Sequence, residues 1–171
     1  MVKLNPLKII VIVGHKKEQI IKKVTEEYPF KNIVFVEQTE TLGTAHAVLQ
    51  TLPSLSELKD YNSLILYGDK PCISYSTLQK LFTEHFKNGN DGTLLTYFGE
   101  TSTKKCGRII RDVSNKISEI YEDENVDYPS NEFNGGIQTF KISVLQKHIP
   151  LIDKHNAQEE YYLPDIVKLV I

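Results

Sequence analysis

The chain has 171 residues, of which 40% are hydrophobic and 25% charged, with a formal net charge of −2. That length suits one domain able to bury about 70% of its unfolded surface. The near-neutral balance gives no electrostatic reason to expect nucleic acid or an anionic membrane as partner, and no run approaches the ~18 apolar residues of a membrane span.

In chain order the pattern alternates. Leu7–Val13 is a short run of mostly β-branched residues, a buried strand and not a signal peptide. Lys16–Glu27 has helical spacing, with Ile20, Ile21 and Val24 on one side. Asn32–Val36 reads as a strand, Ala45–Leu52 as a helix closed by Pro53, and Ser63–Tyr67 as a strand. Tyr75–Lys87 is a helix stopped at Asn88-Gly89, and Thr93–Phe98 a further strand. The order βαβαβαβ predicts a parallel sheet with helices on both faces.

Beyond it, Gly107–Asp112 and Lys116–Tyr121 predict a hairpin turning at Val113-Ser114-Asn115. A polar stretch, Glu122–Asn131, leads to a strand at Gly136–Phe140. Helical segments follow near Ser143–His148 and Glu160–Val170. This half predicts an α+β extension of the same domain, with 1–100 and 101–171 as its two rough halves. Cys72 and Cys106 form no spaced cluster, so free thiols in a reducing cytosol are expected, and with them a cytoplasmic protein.

Two strand-like runs end in loops that carry polar chemistry. Asn32–Val36 runs into Gln38 and then Gly43-Thr44 at a helix start. Ser63–Tyr67 runs into Gly68-Asp69. Loops at the carboxyl ends of parallel strands line ligand crevices, and a Gly-Thr at a helix start offers backbone N–H groups. An Asp at a strand end is placed to hold a divalent metal. Together these suggest a nucleotide site. His15 and His46 lie near it, but no Ser, Cys or carboxylate is spaced to make a catalytic triad with either.

The segments Val36–Gln50, Leu66–Ser74, Cys106–Asp112, Glu132–Gly136 and Asn156–Asp165 resemble, in order and spacing, the uridylyltransferase domain of bacterial N-acetylglucosamine-1-phosphate uridyltransferases. Gln-Thr-Glu-x-Leu-Gly-Thr-Ala-His-Ala and Asn-Ala-Gln-x-Glu-Tyr-Tyr-Leu are its specific signals. The resemblance runs from about Ile9 to the last residue. It implies an α/β, Rossmann-like nucleotidyltransferase fold. It also implies transfer of UMP from UTP to N-acetylglucosamine 1-phosphate, with Mg²⁺ as cofactor and pyrophosphate released.

By that resemblance Asp69 is the catalytic, metal-binding carboxylate. Gln38, Gly43 and Thr44 hold the uracil and ribose, with Tyr67 and Gly68 completing the nucleotide set. Gly107, Glu122, Asn134 and Tyr162 hold the sugar phosphate. Taken alone, Glu122 belongs to an acidic run with Asp123, Glu124 and Asp127, a solvated face. Thr44 read alone is an N-cap, and Tyr161 and Tyr162 read alone are packing aromatics.

The family's opening strand and its Leu-Ala-Ala-Gly-x-Gly-Thr-Arg-Met phosphate loop have no counterpart here, nor has a second metal-binding Asn near the far end. Lys70 stands where the family has an apolar residue, Glu124 where it has Lys, and Gly135 and Pro164 where it has threonines. The expectation is a domain truncated at both ends. Three further readings stay open: a silent module binding uridine nucleotides, half of a split enzyme completed by a partner chain, and a remnant with no stable fold.

Overall fold

Five residues in a row with branched side chains, Ile9–Val13, make the first strand, β1, which pairs in parallel with β2 (Ile33–Glu37) from Ile9↔Ile33 to Val13↔Glu37. The computed structural model describes residues 4–100, 107–121, 130–156 and 158–171. These fall in two units, Met1–Glu57 with Asp153–Leu163, and Leu58–Ile152 with Pro164–Ile171.

In the first unit, α1 (Lys17–Glu27) connects the two parallel strands. None of its residues is fully buried, and Ile20 on its apolar side is 40% exposed. The helix α2 (Thr44–Leu49) is shorter than its sequence suggests. The Thr51 hydroxyl donates to the Val48 carbonyl, and Leu52–Leu58 then tightens into a 3-10 helix around Pro53. Ala45 and Val48 are the buried residues of α2.

The second unit is built on β7 (Glu132–Lys141), longer than the expected Gly136–Phe140 and buried along almost its whole length. β3 (Asn62–Ile65) and β4 (Gly92–Phe98) both run antiparallel to it, with β3 from Asn62↔Lys141 and β4 from Gly92↔Phe140. They therefore point the same way, as strands joined through a crossover helix should. They do not pair with each other, because β7 is their shared partner. The parallel direction expected of these strands is present; the ladders that join them are antiparallel.

The crossover is α3 (Tyr75–Lys87), with the bounds its sequence predicts. Ser74 caps it by accepting the Thr77 N–H at 3.1 Å, and Leu78, Leu81 and His85 form its buried stripe. The hairpin of β5 (Arg108–Arg111) and β6 (Ile117–Tyr121) also forms as expected. Asp112 organises its turn by accepting the Ser114 and Lys116 N–H groups, while Asn115 takes the left-handed φ of 62°. Near the end of the chain α4 (Ile142–His148) follows β7 directly, and α5 spans only Ile166–Val170, preceded by a 3-10 turn at Leu163–Asp165. Among the described residues, no helix is long and apolar enough to cross a membrane.

Candidate functional site

In the first unit, parallel pairing delivers Gln38 to the end of β2. Its backbone N–H donates to the Val13 carbonyl at 2.8 Å, so β1 holds the start of the loop. The side-chain amide then turns back. Its Nε2 lies 3.1 Å from the Gly43 carbonyl and 3.1 Å from His46 Nδ1. The loop 38–43 is thus closed by its own first side chain. The His46 ring also lies near Tyr161, with centroids 6.2 Å apart and planes at 30°.

Gly43 and Thr44 stand beside Gln38, but their immediate surroundings are the segment around Tyr161. Gly43 has φ of 110° and is the N-cap of α2, so Thr44 is the first helical residue and not the cap its type suggests. A Cβ at Gly43 would fall 2.5 Å from the Tyr161 carbonyl oxygen and 2.8 Å from its nitrogen. Ala45 N–H, a donor that the helix start was expected to offer to a ligand, donates instead to that carbonyl at 2.8 Å. The Thr44 hydroxyl accepts the Leu163 N–H at 2.9 Å.

Asn156 shapes the approach to this segment, donating to the Glu160 carbonyl at 2.5 Å and accepting the Gln158 and Glu160 N–H groups. Tyr161 and Tyr162 follow as half-buried residues of the Glu-Tyr-Tyr-Leu run.

In the second unit, β3 ends at Ile65, two residues earlier than its sequence suggests. Tyr67, Gly68 and Asp69 therefore lie on a turn closed by the Lys70 N–H and the Tyr67 carbonyl at 3.2 Å. Asp69 is exposed, and no hydrogen bond or ion pair engages its carboxylate among the described residues. Lys70 is exposed too, yet its ammonium is directed: it donates to the Gly135 carbonyl at 3.1 Å and lies 5.7 Å from the Tyr67 ring centroid. Gly136, with φ of 70°, leaves room for that arrangement, since a Cβ there would meet both the Lys70 ammonium and the Tyr67 ring.

Gly107, just before β5, and Asn134 on β7 are neighbours although 27 residues apart in the chain. The Asn134 N–H donates to the Gly107 carbonyl at 2.8 Å, and Asn134 Oδ1 accepts the Gly136 N–H at 2.9 Å. Glu122, Glu124 and Cys106 lie outside the described residues. Cys72 is exposed and forms no disulfide.

A polar frame around the buried Glu132, Arg108 and Gln138, with no obvious sign in the sequence, supports this unit. Arg111 grips Glu132 with two bonds of 2.7 Å, Thr96 donates to the same carboxylate at 2.7 Å, and the guanidinium holds the Glu132 carboxyl below the usual range. Arg108 lies over the Phe133 ring at 5.3 Å and donates to the Ser130 carbonyl. Gln138 is fully buried on β7, and among the described residues neither its amide nitrogen nor its oxygen has a partner.

Mg²⁺ keeps several waters and is held by one or two carboxylates together with substrate phosphates. No group of three His, Cys, Asp or Glu side chains able to hold a metal occurs among the described residues. The exposed carboxylate of Asp69 offers a single ligand, which suits an ion held jointly with substrate phosphates.

The family model for nucleotidyl transferases matches residues 1–171. The bifunctional protein GlmU of Francisella tularensis subsp. novicida (strain U112) is 43% identical over 168 residues, 96% of this chain and 35% of that protein. GlmU of F. tularensis subsp. holarctica (strain LVS) matches to the same extent. The chain thus spans about a third of the length of the curated relatives it matches. Among solved structures, UDP-glucose pyrophosphorylase complexed with UDP-glucose is similar in fold, with a TM-score of 0.71 at 16% identity, covering 94% of this chain and 67% of that one. Its apo form gives 0.70. With the model matching from first residue to last and the resemblance of sequence holding at 43% identity, the chain belongs to the nucleotidyl transferase family.

Proposed function

We propose that the chain is a nucleotide-sugar pyrophosphorylase domain acting on UTP and N-acetylglucosamine 1-phosphate, or in reverse on UDP-N-acetylglucosamine. The observation that carries this reading is the 43% identity to GlmU across 96% of the chain, which includes the Gln38–His46 loop. In the forward direction an oxygen of the sugar phosphate attacks the α-phosphorus of UTP. A new P–O–P link forms as the bond to the β-phosphate breaks, and pyrophosphate leaves. The nucleophile is already an anion at neutral pH, so no covalent enzyme intermediate and no triad is required. Positioning and charge stabilisation supply the rate.

In this reading Gln38 takes the uracil edge, with Gly43 and Thr44 shaping the loop around base and ribose. Tyr67 and Gly68 lead to Asp69, which would hold Mg²⁺ carried on the triphosphate. When bound, that ion would neutralise charge on the phosphate oxygens. Asn134, Gly107, Glu122 and Tyr162 are assigned to the sugar phosphate. Amide and carboxylate groups suit sugar hydroxyls and an N-acetyl group.

A second reading, a module that binds uridine nucleotides without transfer, is favoured by one observation: among the described residues Asp69 belongs to no group of three His, Cys, Asp or Glu side chains able to hold a metal. Calorimetric titration with UDP-N-acetylglucosamine, with and without Mg²⁺, followed by a pyrophosphate-release assay separates the two. Binding with release supports the enzyme, and binding without release supports the silent module. A folded chain that does neither overturns both.

A further inference from the structure

The Gln38 amide is more constrained than a base-binding glutamine needs to be. A carbonyl oxygen only accepts, so the end of the amide that faces Gly43 O at 3.1 Å is the nitrogen. That same nitrogen stands 3.1 Å from His46 Nδ1. Both amide hydrogens are therefore engaged, one on the carbonyl and one on the ring. His46 Nδ1 must be the acceptor, which leaves the ring proton on Nε2.

Gln50 sits on that other nitrogen, its Nε2 at 3.1 Å. A neutral imidazole offers one donor and one acceptor, so it cannot receive an N–H from both glutamines. Gln38 is pinned by Gly43. Gln50 is not, since its amide has only a 3.3 Å bond to the His46 carbonyl to lose, and a half-turn brings its oxygen onto Nε2–H. The ring plane is steadied by Tyr161.

We infer that His46 is a positioning residue: it fixes the Gln38 amide so that only an oxygen is offered to the base, and so selects uracil over cytosine. This rests on the reading that Gln38 meets the base. Gln38 Oε1 has no partner among the described residues. Uracil presents an N3–H donor to such an oxygen, whereas cytosine presents a lone pair at the same ring position. Without the ring acceptor, the Gly43 bond alone holds the amide, and a turn that gives up that single bond offers an N–H to a cytosine.

The test compares UDP and CDP, which carry identical phosphates, by calorimetric titration of the full chain. The wild type is expected to favour UDP. His46→Leu should narrow that preference about tenfold, the scale of one hydrogen bond lost and one mismatch relieved. His46→Asn, whose Oδ1 can accept where Nδ1 does, should restore it to within about threefold. Gln38→Leu should remove it.

If Gln38→Leu keeps the full preference, the base-site reading itself is wrong. If Gln38→Leu abolishes it and His46→Leu does not, the site stands and the positioning role falls. Equal UDP and CDP affinity in the wild type, or no binding of either by a folded chain, overturns the inference. Nitrogen-15 NMR of the unliganded chain supplies an arm that survives a poorly folding variant: His46 should carry its proton on Nε2, and an Nδ1–H tautomer would refute the argument.

Discussion

Arg111 and Glu132 form a two-bond pair between β5 and β7, with Nε donating to Oε2 and Nη2 to Oε1, each at 2.7 Å. The carboxylate is nearly buried, with 8% of its side chain exposed, while the guanidinium keeps 34%. Removing the arginine strands a buried charge that, among the described residues, only Thr96 still serves. Arg111→Met is expected to cost about 2 kcal/mol, the lower part of the range for charged hydrogen bonds because the arginine is partly solvated. Urea denaturation at pH 7 measures it.

Two titrations should divide the acid unfolding curve. His85 is buried, donating from Nε2 to Asn62 Oδ1 at 2.8 Å and accepting from the Thr93 hydroxyl at 3.0 Å, which suits the neutral ring. Burial first, and then the Lys141 charge, push its pKa below the usual 6.5. The unfolded chain therefore takes up the proton more readily. Stability is complete above pH 6.5 and falls as the pH drops below it. Glu132, held down by Arg111 from 4.5, contributes fully above that pH and is lost as the pH falls through its folded value. Urea midpoints from pH 8 to 3 should show a first decline beginning near 6.5, smaller in His85→Gln because His148, which burial also holds below 6.5, still contributes, and a second beginning near 4.5, absent in Arg111→Met.

Gly43→Ala should loosen the Tyr161 segment. The added methyl meets the Tyr161 backbone, and φ of 110° is itself strained for alanine. A loss of about 1–3 kcal/mol is expected. Limited proteolysis should cut within 153–160 faster than in wild type, and unchanged cleavage would contradict the packing described.

Asp69→Ala tests the proposed chemistry. If the carboxylate holds the nucleotide's Mg²⁺, pyrophosphate release should fall about 10²–10³-fold, the scale of removing one transition-state contact. Binding of UDP-N-acetylglucosamine should also lose its Mg²⁺ dependence, while melting stays as in wild type because Asp69 is exposed. Retained Mg²⁺ dependence would move the metal role elsewhere.

What the sequence made legible is local. Tyr75–Lys87 was readable because Ser74 and Asn88-Gly89 mark its ends, and the hairpin because Asp112 and Asn115 are turn residues. The first four residues of β7 were not, since Glu132, Asn134 and Gly135 break an apolar run; their burial depends on Arg111 and on the Gly107 carbonyl. The final helix starts late because Pro164 and the Leu163–Thr44 bond hold the preceding chain in another conformation. In the candidate site, Gln38, Gly43 and Thr44 were singled out by motif, and the structure sets them side by side. The link from Gln38 to His46 skips eight residues across an irregular loop, where periodicity is silent. Only the His46–Gln50 spacing of four, one helical turn, hinted at that ring's role.

The antiparallel ladders on β7 also govern when this unit can form. Among the described residues, β3 and β4 have no strand partner except β7, which follows β4 by more than thirty residues, and Ser63 pairs with Phe140 across 77. On a translating ribosome both strands therefore emerge well before their template does. Folding of the unit waits for residue 141 to clear the exit tunnel. Such long-range closure is slow, and a pause in synthesis between β4 and β7 would leave two unpaired strands open to chaperones or to aggregation.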